Sequence, residues 1–327
     1  MALPTARLGT TDMEITRVGF GAWALGGGSW VYGWGSQDDQ DSIAAIRHAL
    51  DQGVNWIDTA AVYGLGHSEE VIAESLKGAS ERPYIFTKCG MIWDDAWNVS
   101  QIARPDTIRR EIEASLRRLD VERIDLYQVH WPPKDGTPVE EYWQTMVELK
   151  NEGKVRAIGL SNHSVSQLEK AEKVGHVDSL QPPLSMINRT QADEIAWCAR
   201  NGTGVIVYSP MHSGLLTGKF SRERVESLPE DDWRRRSPDF TTNLDRNLAL
   251  ADALRPIADR HGVTQAAVAV AWTLAWPGVT GAIVGARNPG QVDGWLPAAS
   301  LQLTQDDLDE IAAAIERTGA GQGPVRP

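Results

Sequence analysis

The chain has 327 residues, 42% hydrophobic and 23% charged, enough to bury a large core and too apolar for a disordered polymer. Its net charge of -12 and pI near 5.1 argue against nucleic acid or an anionic membrane as partner, since both are polyanions. No stretch approaches the roughly 20 apolar residues of a membrane span, the N-terminal MALPTARLGTTDMEI lacks a signal-peptide core, and Cys89 and Cys198 have no metal-site spacing, so a metal-free cytoplasmic protein with reduced thiols is expected.

Residues 1–16 read as a short hairpin that plugs the N-terminal end of a barrel. Strand-like runs follow in order: RVGFG from residue 17, NWIDTA from 55, YIFTK from 84, IDLYQV from 124, VRAIGL from 155, DSLQP from 178, GVIVYS from 204 and TGAIVG from 280. Helical periods lie between them, as in Ile108, Ile112, Leu116 and Leu119 behind Pro105 at a first helical position. Thr137 to Glu140 and Ser164 to Gln167 read as capping boxes, and Gly53, Gly78, Gly153 and Gly202 as glycines that close helices. A long segment from Ser209 to Asn243 separates the seventh strand from helices at 244–262 and 264–275, and loops of that length are usually lids or binding loops. A final helix starts after Thr304. Strict alternation of strand and helix implies a parallel sheet, and eight units imply closure, so an α/β fold is expected: a single (β/α)8 TIM barrel domain over residues 1–327. A doubly wound open sheet is the alternative.

In such a barrel, residues at the C-terminal strand ends converge on one mouth. Asp58, Tyr63, Lys88 and His130 all fall at or just past strand ends. Together an acid, a phenol, an ammonium and an imidazole make a proton donor with groups to tune it. Lys88 is expected to lower the Tyr63 pKa, with Asp58 holding Lys88 charged and oriented, while His130 donates a hydrogen bond to a carbonyl oxygen. The pattern Gly19-Phe-Gly21-Ala-Trp-Ala24 matches a dinucleotide-binding glycine fingerprint, but helix signals begin only near Asp38, whereas that mechanism needs a helix to start at the glycines. We therefore reject it and place Trp23 beside a cofactor after the first strand. Of 13 tryptophans, Trp23, Trp30, Trp34, Trp93, Trp97 and Trp131 sit in loops that should rim the mouth, and Trp30, Trp93 and Trp131 are the candidate substrate contacts.

The stretches NWIDTAAVYGLGHSEEVI, IFTKCG, IDLYQVHWPP, GKVRAIGLSNHS, SLQPPLSMINR, VIVYSPMHSGLLTGKF and IVGARNPGQV make the chain resemble an aldo-keto reductase across roughly residues 17 to 293. The resemblance implies NADP(H)-dependent reduction of aldehydes and ketones, reversible toward alcohols or sugars, with Tyr63 as acid and Asp58, Lys88 and His130 around it. It also implies cofactor contacts. Ser161, Asn162 and Gln181 would bind the nicotinamide carboxamide and Tyr208 would stack on the ring. Ser209, Pro210, Gly214 and Lys219 would pass over the pyrophosphate, where backbone donors and a cation suit an anion. Gly285, Arg287 and Gln291 would hold the adenosine end, with Arg287 on a 2′-phosphate. The chain departs from the family pattern at Gly294 and Trp295, where an acidic residue and an asparagine are common, so adenine contacts do not carry over; Trp295 either stacks on the base or caps the next helix.

Two other classes stay in view. One is a cofactor-binding redox sensor, like the potassium-channel β-subunits of this superfamily, although those carry asparagine where this chain has His130. The other is a barrel lyase using Lys88 as a Schiff-base amine.

Overall fold

The computed structural model describes residues 2–28, 30–79, 81–230 and 232–327. Its N-terminal hairpin pairs β1 (Thr5–Arg7) with β2 (Glu14–Thr16) antiparallel. The hairpin's Leu8, Met13 and Ile15 pack with Trp56, Phe86, Leu126, Ala157, Ile206 and Ile283 from the barrel strands. The expected plug is present, and it fills the barrel interior with side chains that would otherwise face water.

The strands continue as β3 (Val18–Gly21), β4 (Trp56–Asp58), β5 (Tyr84–Cys89), β6 (Met91–Trp93), β7 (Val99–Gln101), β8 (Ile124–Val129), β9 (Val155–Ser161), β10 (Ser179–Gln181), β11 (Gly204–Val207) and β12 (Gly281–Gly285). All but β6 and β7 form a closed parallel barrel in the order β10-β11-β12-β3-β4-β5-β8-β9. The helices are α1 (Asp39–Asp51), α2 (His67–Ser75), α3 (Pro105–Leu119), α4 (Val139–Asn151), α5 (Val165–Glu172), α6 (Ala192–Asn201), α7 (Arg222–Glu226), α8 (Leu244–Ala253), α9 (Arg255–His261), α10 (Gln265–Leu274), α11 (Pro289–Trp295) and α12 (Gln305–Thr318). They ring the barrel because each turns an apolar stripe inward, as α3 does with Ile108, Ile112 and Leu119.

Gly19 explains the rejected fingerprint. A Cβ there would lie 2.1 Å from the Trp56 ring, so the glycine makes room for an indole inside the barrel. It serves packing, not a pyrophosphate.

Several local expectations are corrected. The Ser164 capping box forms, but α4 begins after Pro138 with no side-chain cap, so Thr137 is not one. The expected helix over 244–262 is two, α8 and α9, because Pro256 has no amide proton to donate and sits in the first turn of a new helix. The β6–β7 hairpin after the third barrel strand was not foreseen; its register pairs Met91 with Gln101 and Trp93 with Val99. Trp295 is 1% exposed, in the core, because with Val292 it forms the buried side of α11. It is therefore not placed to stack on a base. Among the described residues, no helix is long and apolar enough to cross a membrane.

Candidate active site

Asp58 ends β4, Lys88 lies one residue before the end of β5, and His130 follows β8 directly. All three reach the barrel's C-terminal mouth because parallel strands deliver their ends to one side. Lys88 Nζ donates to Asp58 Oδ1 at 2.5 Å and to the Thr59 carbonyl at 2.8 Å. Asp58 Oδ2 accepts from Gln181 Nε2 at 2.8 Å and from Gln128 Nε2 at 3.3 Å. The carboxylate thus faces one cation and two amides, which compensates its removal from water.

Tyr63 opens a tight turn, Tyr63–Gly66, in which Gly64, Leu65 and Gly66 all have left-handed backbone. Gly26 and Gly64 meet backbone to backbone: a Cβ on Gly26 would come within 2.5 Å of the Gly64 nitrogen. This contact locks the Tyr63 turn onto the loop that follows β3. The Tyr63 ring lies 5.4 Å from Lys88 Nζ and 5.7 Å from the His130 ring, edge to face. The four residues expected to meet do meet.

Their electrostatics differ from expectation in one respect. Burial pushes the Tyr63 phenol well above its usual range, and Asp58 and Tyr208 push it the same way. Burial is the largest of these causes, and the Lys88 ammonium, which donates to Asp58 and Thr59, does not offset it. Burial also draws Lys88 down, with Asp58 opposing. For His130, burial and the neighbouring Lys88 hold the ring well below its ordinary pKa. Near neutral pH the site therefore holds a protonated phenol beside a neutral imidazole.

Ser161 ends β9, Gln181 ends β10 and Tyr208 follows β11. The Ser161 hydroxyl donates to the Gln181 carbonyl at 2.9 Å, and Asn162 Nδ2 donates to the His130 carbonyl and to Ser161 Oγ, both at 3.0 Å. Tyr208 donates its hydroxyl to Asn162 Oδ1 at 2.8 Å. Gln181 is 2% exposed, and its side-chain oxygen has no hydrogen-bond donor among the described residues, which leaves an acceptor suited to an amide NH2.

Gly285, Arg287 and Gln291 gather near the loop after β3, since β12 and β3 are neighbours with Gly285 opposite Gly21. Arg287 Nε donates to Gln37 Oε1 at 2.5 Å and one terminal nitrogen to the Ser36 carbonyl. Gln291 turns its side-chain oxygen back onto the Arg287 backbone nitrogen, 2.9 Å away. In the long loop Ser209 and Gly214 take left-handed backbone, Pro210 is buried and Lys219 is exposed.

That loop crosses the mouth. Its Trp233 stacks on Trp23 with centroids 6.5 Å apart, and Trp23 stacks in turn on Tyr63 at 6.3 Å. Trp34 meets Trp233 edge to face, and the Arg234 guanidinium lies 4.8 Å over Trp34 while pairing with Asp232. Beneath the loop is a cavity of about 190 Å³ lined in part by Ser185, Tyr208, Ser209, His212 and Trp233. Trp30 and Trp93 join the apolar cluster around Tyr63, whereas Trp131 lies outside it and is 38% exposed.

Gln128, fully buried between Asp58 and Gln181, and Trp233 were not singled out from the sequence. Gln128 had a signal: it stands two residues before His130, on the same side of an apolar strand. Trp233 had none, because its role depends on where a long loop lands. The buried, paired state of Lys88, with a side chain 0% exposed, argues against a free Schiff-base amine.

A sequence profile described as the aldo/keto reductase family matches residues 17–316. The chain is 36% identical over 313 residues to the aldo-keto reductase YhdN of Bacillus subtilis, covering 94% of this chain and 92% of that protein. It is 34% identical over 329 residues to a protein of Escherichia coli named NADH-specific methylglyoxal reductase, covering 95% and 98%. Among solved structures, the glycerol dehydrogenase AKR11B4 from Gluconobacter oxydans superposes with a TM-score of 0.89 at 36% identity, over 99% of this chain and 98% of that one.

Proposed function

Since the chain belongs to the aldo/keto reductase family and is an oxidoreductase, we propose that it reduces small aldehydes and ketones to alcohols, reversibly, with NADP(H), and that Tyr63 is the proton donor. The observation that carries this reading is the contact of one phenol ring with both Lys88 and His130, at 5.4 and 5.7 Å, in the barrel mouth.

When bound, the dinucleotide supplies a hydride to the carbonyl carbon. The chain does the rest. Neutral His130 donates a hydrogen bond to the carbonyl oxygen and fixes its direction. Tyr63 passes its hydroxyl proton to that oxygen as negative charge develops there, leaving alcohol and phenolate. A raised pKa suits this role: the proton stays on Tyr63 until an alkoxide, a stronger base, is forming. The phenolate then has Lys88 as its near cation and regains a proton from solvent.

Gln181 Oε1, with Ser161 and Asn162, takes the nicotinamide carboxamide, and Tyr208 lies against the ring. The long loop, with Ser209, Pro210, Gly214 and Lys219, covers the pyrophosphate, and Trp23 flanks the dinucleotide. Gly285, Arg287 and Gln291 receive the adenosine end. Arg287 supports a 2′-phosphate because Gln37 and Ser36 orient its guanidinium without neutralising it. The Escherichia coli relative is named as NADH-specific, so the two dinucleotides have to be compared directly. Trp30, Trp93 and Trp131 rim the substrate side, and the names of the relatives point to small oxygenated carbonyls such as methylglyoxal and the oxidation products of glycerol.

The test is loss of reduced-nicotinamide absorbance with NADPH and NADH in parallel, against methylglyoxal, glyceraldehyde, aromatic aldehydes, aliphatic ketones and aldoses. Rapid NADPH oxidation with one carbonyl class supports the reading. Tight dinucleotide binding without turnover on any carbonyl would replace it with the sensor reading.

A further inference from the structure

Asn162 holds a left-handed backbone, φ 64°, which L-residues other than glycine adopt only when the surroundings enforce it. On its inner side it is tied by its own bonds to the Gln181, His130, Ser161 and Tyr208 groups. What enforces the turn from the outer side is a pair that the reaction does not use. His163, 0% exposed, has Nδ1 2.8 Å from the Ser161 carbonyl oxygen, and its Nε2 is 2.8 Å from the hydroxyl of Tyr142 on α4, itself 1% exposed.

The partners fix the tautomer. A carbonyl only accepts, so Nδ1 carries the proton and Nε2 accepts from the Tyr142 hydroxyl. The two rings meet edge to face, centroids 5.8 Å apart. Burial draws His163 down to about 4, so the ring stays neutral and this polarity does not change across ordinary pH. The result is a dry chain running Tyr142 to His163 to the Ser161 carbonyl. It holds the carbonyl end of the Ser161–Asn162 peptide, whose amide end donates to the Gln181 carbonyl at 3.2 Å. An apolar pair of the same shape would fill the space between α4 and β9 equally well without holding that carbonyl.

We propose that Tyr142 and His163 are positioning residues for the nicotinamide carboxamide, holding the Ser161–Asn162 turn in the orientation that the amide requires. This rests on the reading above that Ser161, Asn162 and Gln181 receive the amide. Neither residue touches the dinucleotide; both act through the peptide between Ser161 and Asn162.

The experiment compares two ligands on the purified protein by titration calorimetry: NADP+ and 2′-phospho-ADP-ribose, which lacks the nicotinamide. His163→Phe removes both hydrogen bonds and keeps an aromatic ring. His163→Asn keeps a donor where Nδ1 stood. Tyr142→Phe removes only the hydroxyl. His163→Phe is expected to weaken NADP+ about tenfold while changing 2′-phospho-ADP-ribose by less than about twofold, with His163→Asn recovering most of the loss and Tyr142→Phe falling between. Should His163→Phe fail to fold, Tyr142→Phe, which removes the hydroxyl that His163 Nε2 accepts from, carries the same comparison between the two ligands. Equal weakening of both ligands, or no weakening of either, overturns the proposal and leaves the pair a packing feature. Failure of the wild type to bind NADP+ and NAD+ alike would remove the cofactor reading itself, and the proposal with it.

Discussion

Lys88 and Asp58 form an ion pair whose side chains are 0% and 4% exposed, with Nζ 2.5 Å from Oδ1. Breaking a buried pair from one side strands a charge without solvent, so Asp58→Asn or Lys88→Met should each lower stability by about 3 kcal/mol or more. The double variant should lose clearly less than the sum, because it strands nothing. Urea denaturation of the two single variants and the double completes the cycle; additive losses would mean that the two groups do not interact as the geometry indicates.

Tyr63→Phe should reduce turnover by about 10²- to 10⁴-fold, the usual contribution of a positioned acid, while dinucleotide affinity stays near that of the wild type. The pH dependence follows from the two shifts. The Tyr63 pKa lies well above the usual phenol range, so the acid keeps its proton as pH rises to 9. The His130 pKa lies well below the usual imidazole range, so the ring is already neutral at pH 6.5. Carbonyl reduction with saturating cofactor should therefore be flat between about pH 6.5 and 9. A fall centred near pH 7 would point to a different proton donor.

The barrel was legible because each buried strand is a short apolar run ended by turn residues, and the mouth because parallel strands put polar end residues on one side. Asp58, Lys88 and His130 could be read that way one at a time. What could not be read was the sign of the Tyr63 shift, which is set first by how completely the folded mouth buries the phenol, with Asp58 and Tyr208 pushing the same way. The burial of Trp295 was readable from its three-residue spacing to Val292 on one face of α11. Tyr142 and His163 lie 21 residues apart, on a helix and just past a strand, and no local pattern links them.

Trp233 is the aromatic anchor of the long loop. Its contacts with Trp23 and Trp34, centroids 6.5 and 5.7 Å away, hold that loop across the mouth, and Phe240 of the same loop packs on it at 5.9 Å. Aromatic pairs contribute about 0.5 to 1.5 kcal/mol each beyond their buried area. Trp233→Ala should therefore speed dinucleotide release roughly tenfold or more, measured by stopped-flow fluorescence. An unchanged release rate would mean that the loop does not retain the cofactor.

Asp307, in the first turn of α12, tests how far one buried carboxylate sets acid stability. Its side chain is 0% exposed and is held by Arg260 and His261, and by the Thr304 backbone nitrogen and hydroxyl, both at 2.8 Å, in the capping box of α12. Burial alone would raise its pKa, but the hydrogen bonds from His261, Thr304 and Arg260 outweigh it and bring the carboxyl down to about 2. Because the folded value lies below the unfolded one, Asp307 contributes stability that is present above about pH 4 and lost as pH falls through about 2. The difference corresponds to about 2 kcal/mol, an upper figure since Arg260 is half in solvent and screened. Asp307→Asn should thus be less stable than the wild type at pH 6, and the gap should close between pH 4 and pH 2. A gap of constant size over that range would assign the loss to packing of the cap and not to the charge.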